Sequence, residues 1–93
     1  MELKKHVEKE RISALTFVTK EVLKTKEEMA FRRYCIERAV TVGNVAKVKS
    51  RITFETVDGT YDVETTVWAS TDTHIVLKGG TFVPVHAIWR VEQ

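Results

Sequence analysis

Between Arg51 and Val91 apolar and polar residues alternate, with breaks at three short turns. A period of two is the mark of strands with one buried face. In the first strand Ile52 and Phe54 share a face, opposite Arg51, Thr53 and Glu55. Asp58-Gly59 is the favoured pair for a tight hairpin whose two central residues take positive φ. In the second strand Tyr61, Val63, Thr65, Val67 and Ala69 alternate with Asp62, Glu64, Thr66 and Trp68. Thr71-Asp72 makes the next turn, before Ile75 and Leu77 with His74, Val76 and Lys78 opposite. Gly79-Gly80 is a flexible turn, Phe82 to Val85 a short fourth strand, and Ile88 to Val91 a fifth. Pro84 lacks a donor and marks an edge or an ending. The pattern predicts a bent, five-stranded antiparallel sheet closing into a small barrel. Its interior set is Ile52, Phe54, Val63, Val67, Ile75 and Leu77.

Ahead of Gly43-Asn44 the period changes. Leu3, Val7, Ile12, Leu15, Val18 and Val22 follow three-to-four-residue steps, which predicts a helix over 2–23. The segment ISALTFV is also acceptable as a strand. Thr25 followed by Glu28 fits a capping box, so a second helix is expected from about Lys26 to Val40, with Gly43 or Asn44 as the left-handed residue past its end. This helix is apolar on two sides: Met29, Ile36 and Val40 on one, Phe31, Tyr34, Cys35 and Val42 on the other. Two such stripes imply two contacts, one with the barrel and one with the first helix or another subunit.

The resulting class is α+β, a single domain over 1–93 with a helical segment 1–43 packed on a small barrel 44–93. Trp68, Val76 and Phe82 point away from the barrel interior. An apolar patch of that kind should not face water in a monomer. The economical cover is the N-terminal helices; the alternative is a partner or ligand.

Composition narrows this little. The chain is 43% hydrophobic and 30% charged, ordinary for a folded domain. Its one cysteine, Cys35, excludes an internal disulfide and suits a reducing compartment. The start, MELKKHVEKERI, has no apolar core of a signal peptide, and no segment approaches a membrane span. A cytoplasmic protein without membrane contact is expected. The net charge of +2 divides into +5 over residues 1–50 and −3 over 51–93, so the two halves are suited to bind each other, within a chain or between chains.

The stretch 46–92, with VDGTYDV early, THIVL in the third strand and the ending GGTFVPVHAIWRV, resembles the small-barrel superfold shared by SH3-like and Sm-like domains. The resemblance implies a binding role rather than catalysis: Sm-like proteins form RNA-binding rings, and SH3-like barrels hold proline-rich peptides, nucleic acids or other domains. The acidic, aromatic-rich loops of peptide-binding SH3 domains are missing here, and the RNA-contacting signature of Sm-like rings is not identifiable.

No motif implies chemistry. His6, Cys35, His74 and His86 lack metal-ligand spacing. Cys35 and the serines lack a nucleophile context. LKGGT lies between strands, with no helix following to hold a phosphate. No catalytic residue, metal or cofactor is assigned. The leading reading is a non-catalytic binding or assembly module that self-associates or takes a protein partner, with Trp68, Val76, Phe82, Phe31 and Tyr34 as candidate interface. The alternative is binding of RNA or another single-stranded nucleic acid through Lys47, Lys49 and Arg51 on one strand, with Arg32 and Arg33 from the helix. Trp68 and Trp89 are the rings available to stack on bases. An enzyme ranks third.

Overall fold

A computed structural model describes residues 4–93. The fold is α+β, one long helix followed by two sheets. A four-stranded sheet has the order β1-β3-β2-β7, from Lys5–His6 (β1), Ser50–Thr56 (β2), Gly59–Thr65 (β3) and Ile88–Glu92 (β7). A three-stranded sheet has the order β4-β5-β6, from Val67–Ser70, His74–Leu77 and Phe82–Pro84. The expected second strand is therefore two strands. It breaks at Thr66, and its halves join different sheets. Among the described residues no barrel is closed by hydrogen bonds. The expected interior set is buried throughout, each residue at most 1% exposed, and one apolar cluster joins both sheets to the helix.

Over 4–23 the expected helix does not form; Glu2 and Leu3, its first two residues, lie outside the described residues. Lys5–His6 instead pair parallel to Tyr61 and Asp62, and Lys9–Ala14 form a 3₁₀ helix that buries Ile12. Residues 15–24 run as an irregular strap. Val57 N–H donates to the Thr16 carbonyl at 2.9 Å, Val22 N–H to the His86 carbonyl at 2.9 Å, and Phe17 bridges to Thr56. His86 Nε2 donates to the Val18 carbonyl at 2.7 Å. Thr16, Phe17 and Val18 favour extended backbone, and the sheet supplies partners that a helix there would have to supply itself. Phe17 packs its ring 5.4 Å from that of buried Phe54.

The single long helix, α1, spans Lys26–Ala46. Its start is the expected capping box: the Thr25 hydroxyl accepts from Glu28 N–H, and the Glu28 carboxylate accepts from Thr25 N–H. Its end lies later than the period implied. Gly43 and Asn44 are helical, and Lys47 takes the left-handed position at φ 56°. Val48 N–H reaches the Val42 carbonyl, closing the end as a Schellman motif does.

Gly43 is needed for space, not for a turn. A Cβ there would lie 2.6 Å from the Val67 carbonyl oxygen and 3.0 Å from Thr66 Cγ2. The buried stripe is Arg32, Ile36, Ala39 and Gly43, stepped to press one helix face onto β4 and β7. Small side chains at its far end let the helix come close to the break between β3 and β4.

The first hairpin is also built differently. Thr56 pairs with Gly59, so the loop is Val57-Asp58, and only Gly59 has positive φ, 125°. The Thr56 hydroxyl accepts from Asp58 N–H and donates to the Gly59 carbonyl, a side-chain turn that removes the need for positive φ at Asp58.

Gly43→Ala tests the close approach. Alanine favours helix by about 1 kcal/mol over glycine, yet overpacking against backbone costs about 1–3 kcal/mol. A net loss of about 1–2 kcal/mol in urea unfolding is expected, while Asn44→Ala on the exposed side should be neutral or slightly stabilising. Equal effects of the two substitutions would sink the explanation.

Candidate functional site

Five of the chain's eight aromatic rings are exposed: Phe31, Tyr34, Trp68, Phe82 and Trp89. Phe31 and Tyr34 stack on the outer side of α1 with centroids 6.3 Å apart. Phe82 pairs across the strands with half-buried Val76 and meets the His74 ring edge-on at 6.3 Å. Trp68 is 47% exposed and Phe82 60%. The helix thus packs its inner stripe on β4 and β7 and leaves Trp68 and Phe82 open. The expected cover by the chain's own N-terminal segment is not what the fold provides.

Both tryptophans sit at register shifts. Val67 pairs with Leu77 and Ala69 with Val76, skipping Trp68. Thr53 pairs with Arg90 and Phe54 with Ile88, skipping Trp89. A bulge re-aims the extra side chain, and β4 and β7 are both edge strands. Nothing in the alternation of the sequence marks these two residues as bulged.

Of the five candidate basic residues, Lys47, Lys49 and Arg51 are exposed, Arg32 is buried and Arg33 is tied to a turn. Lys47 is the helix cap and Lys49 precedes the strand, both exposed. Arg51 lies 3.7 Å from Glu64. Arg33 donates to the Thr71 and Asp72 carbonyls and so pins the β4–β5 turn. Arg32 is 5% exposed and turned inward. Its guanidinium grips both oxygens of Glu21 at 2.6 and 2.7 Å and the Ile88 carbonyl at 2.9 Å. These contacts hold Arg32 out of reach of a phosphate backbone.

A different set comes together beside it. Lys4, Val22, Leu23, Lys24, Glu28, Thr53, Thr60, Trp89 and Arg90 line a groove of about 580 Å³. It continues past Leu23, Glu28, Trp89 and Arg90 into a second of about 450 Å³ that reaches Phe31 and Cys35. Thr53, Thr60 and Arg90 lie on the outer face of the four-stranded sheet, the face opposite Ile52 and Phe54. The Trp89 indole is held by a 3.0 Å bond from Nε1 to Glu55 Oε1, and the Thr60 hydroxyl donates to the same oxygen. The strap contributes Val22, Leu23 and Lys24, and sequence reading missed them because it placed a helix there.

The ionisable groups follow from the geometry. The Arg32 guanidinium holds the Glu21 carboxyl below the usual carboxylate range, against the opposing effect of burial. The Thr25 hydroxyl and backbone do the same for Glu28. Burial pushes the Cys35 thiol up, away from thiolate chemistry. Among the described residues no three His, Cys, Asp or Glu side chains are grouped to hold a metal ion, and no helix is long and apolar enough to cross a membrane. No family model matches the chain, nor does a curated protein or a solved structure.

The Glu21–Arg32 pair makes stability pH-dependent. A carboxyl depressed in the folded state stabilises fully above the unfolded carboxylate pKa and loses that contribution as pH falls through the lower folded value. Glu21→Gln strands a buried guanidinium and should cost about 3 kcal/mol at pH 7, with a smaller acid-induced loss below about pH 4.5 than the wild type. Unfolding curves from pH 7 to 3 giving parallel losses in both proteins would refute the assignment.

Proposed function

We propose that this chain is a non-catalytic binding module that acts first by self-association. The observation that carries the reading is the outward placement of five aromatic rings, two of them on bulged edge residues. Surface aromatics of this kind are enriched where partners meet. A second copy suits the surface because the opposite charges of the two halves are hardly satisfied internally. Among the described residues, the ion pairs joining the halves reduce to His6 with Asp62. The likeness of 46–92 to the SH3-like and Sm-like small barrels belongs to the same proposal, since those domains serve as binding platforms. A cytoplasmic location fits the lone, free Cys35.

The second reading, single-strand nucleic-acid binding, is favoured by the groove that joins Trp89 to Lys4, Lys24 and Arg90. It rests on those residues together with exposed Lys47, Lys49 and Arg51, while Arg32 and Arg33 are engaged by a carboxylate and by backbone carbonyls.

Sedimentation velocity from about 1 to 100 µM tests self-association. The wild type should shift toward dimer or higher species with concentration and shift back as salt rises. Phe31→Ser with Tyr34→Ser, both on exposed rings, should remain folded and hold the chain monomeric. A wild type that stays monomeric throughout the range would overturn the reading.

A further inference from the structure

We infer that the groove between the strap and the outer sheet face is a binding site for a nucleotide unit, a planar base carrying phosphate. This rests on the reading of the chain as a binding module and names a ligand class for it. Four observations converge. The first is the Trp89 ring, lifted out of register by a bulge and tethered by Glu55. A pre-positioned indole at a groove wall is a stacking platform that accepts any base.

The second is the charge of the lining. Lys4, Lys24 and Arg90 face one carboxylate, Glu28. Glu28 Oε1 accepts from Lys24 N–H, Thr25 N–H and the Thr25 hydroxyl, so it is committed to the helix cap. Glu92 lies 3.5 Å from Arg90 Nε, but both side chains are more than half exposed, and such a pair is easily exchanged for a phosphate. Glu55 is already engaged by Trp89 and Thr60.

The third is Thr53. It lines the groove, it is 3% exposed, and its Oγ1 has no hydrogen-bond partner. A buried hydroxyl without a partner costs stability, and such groups are rare in folded proteins. Here it sits on the central strand, on the side that carries Arg90 and Thr60, with less than 1 Å² of the oxygen open, so a base edge or sugar hydroxyl in the groove would satisfy it once the lining gives way. The fourth is size: about 580 Å³ lies within the range of small-ligand sites.

The test uses the full chain carrying Trp68→Phe, which leaves Trp89 as its one tryptophan. AMP and an eight-nucleotide single-stranded RNA are titrated separately while indole fluorescence is followed, with inorganic phosphate as a control. Quenching that saturates with either probe supports the site. AMP alone sufficing marks a free-nucleotide site, and a requirement for RNA marks a site for one nucleotide of a strand. Lys24→Ala and Arg90→Ala should each weaken binding about tenfold, a change of one power of ten in Kd. One phosphate neutralised on a single strand predicts a slope of about −0.7 in log affinity against log salt. Thr53→Val should weaken binding severalfold while leaving the thermal midpoint unchanged or raised, which a purely structural threonine would not do. Absence of quenching by millimolar AMP and by the RNA, or binding indifferent to Lys24→Ala and Arg90→Ala, overturns the inference. If concentration-dependent association persists in that event, the binding-module reading survives; if both are lost, it falls too.

Discussion

The arrangement depends on the Arg32 guanidinium. It is nearly inaccessible, and with one head group it binds the strap through Glu21 and the last strand through the Ile88 carbonyl, while its backbone belongs to α1. A planar fork with fixed donors suits three converging elements better than an ammonium would. Glu21 is in turn held by Leu23 N–H at 2.9 Å. The ion pair thereby sets the strap's path just before Lys24 and the capping box. Without that path there is no groove wall opposite Trp89. Arg32 Nε remains without a partner, a cost set against the anchoring of three elements.

Two features then decide what the surface offers. One is the break at Thr66, which sends β3 and β4 into different sheets and gives α1 a shallow seat against the Val67 carbonyl that only glycine at position 43 fits. The other is the pair of bulges. In a regular ladder each tryptophan's direction is dictated by its neighbours through the two-residue alternation. Skipping one residue frees that direction, so the chain's two largest side chains stand outside a core that is otherwise filled by Ile, Val, Leu and Phe54.

The interior was legible because burial in a sheet leaves a plain two-residue signature; Ile52, Phe54, Val63, Val67, Ile75 and Leu77 needed nothing else. The capping box was legible because its two side chains answer local donors. The strap was not. Val7, Ile12, Leu15, Val18 and Val22 imitate a helical stripe by spacing, but Val7, Val18 and Val22 meet partners far away, at Asp62, Glu55 and His86, and no local pattern encodes those. Gly43 was misread for a related reason: a glycine needed for a close approach looks the same in sequence as one needed for a turn. The groove was half legible. Trp89 was named as a stacking ring, but Lys24 and Arg90 meet it only through the strap's path and the β7 bulge. Arg32 and Arg33, chosen for their charge, are engaged by a carboxylate and by backbone carbonyls.

Charge separation along the chain has a physical meaning once the pairs are placed. Arg32–Glu21 and Lys9–Glu10 lie within the first half, and Arg51–Glu64 and Arg90–Glu92 within the second. Apart from the buried Arg32–Glu21 pair, these are exposed pairs that contribute little stability, and all four leave the excess of each half uncompensated. A fold that needed the two halves to neutralise each other would pair them across the sheet-to-strap boundary, and there only His6 meets Asp62 among the described residues. The positive excess instead remains on lysines around the strap and helix, next to open aromatic rings. Long-range attraction brings an oppositely charged surface or ligand in, and the rings supply contact area once it arrives. Both proposals, a second copy of the chain and a phosphate-bearing base, draw on that division between steering charge and contacting ring. The choice between them then lies in the shape of the groove beside Trp89 rather than in charge alone.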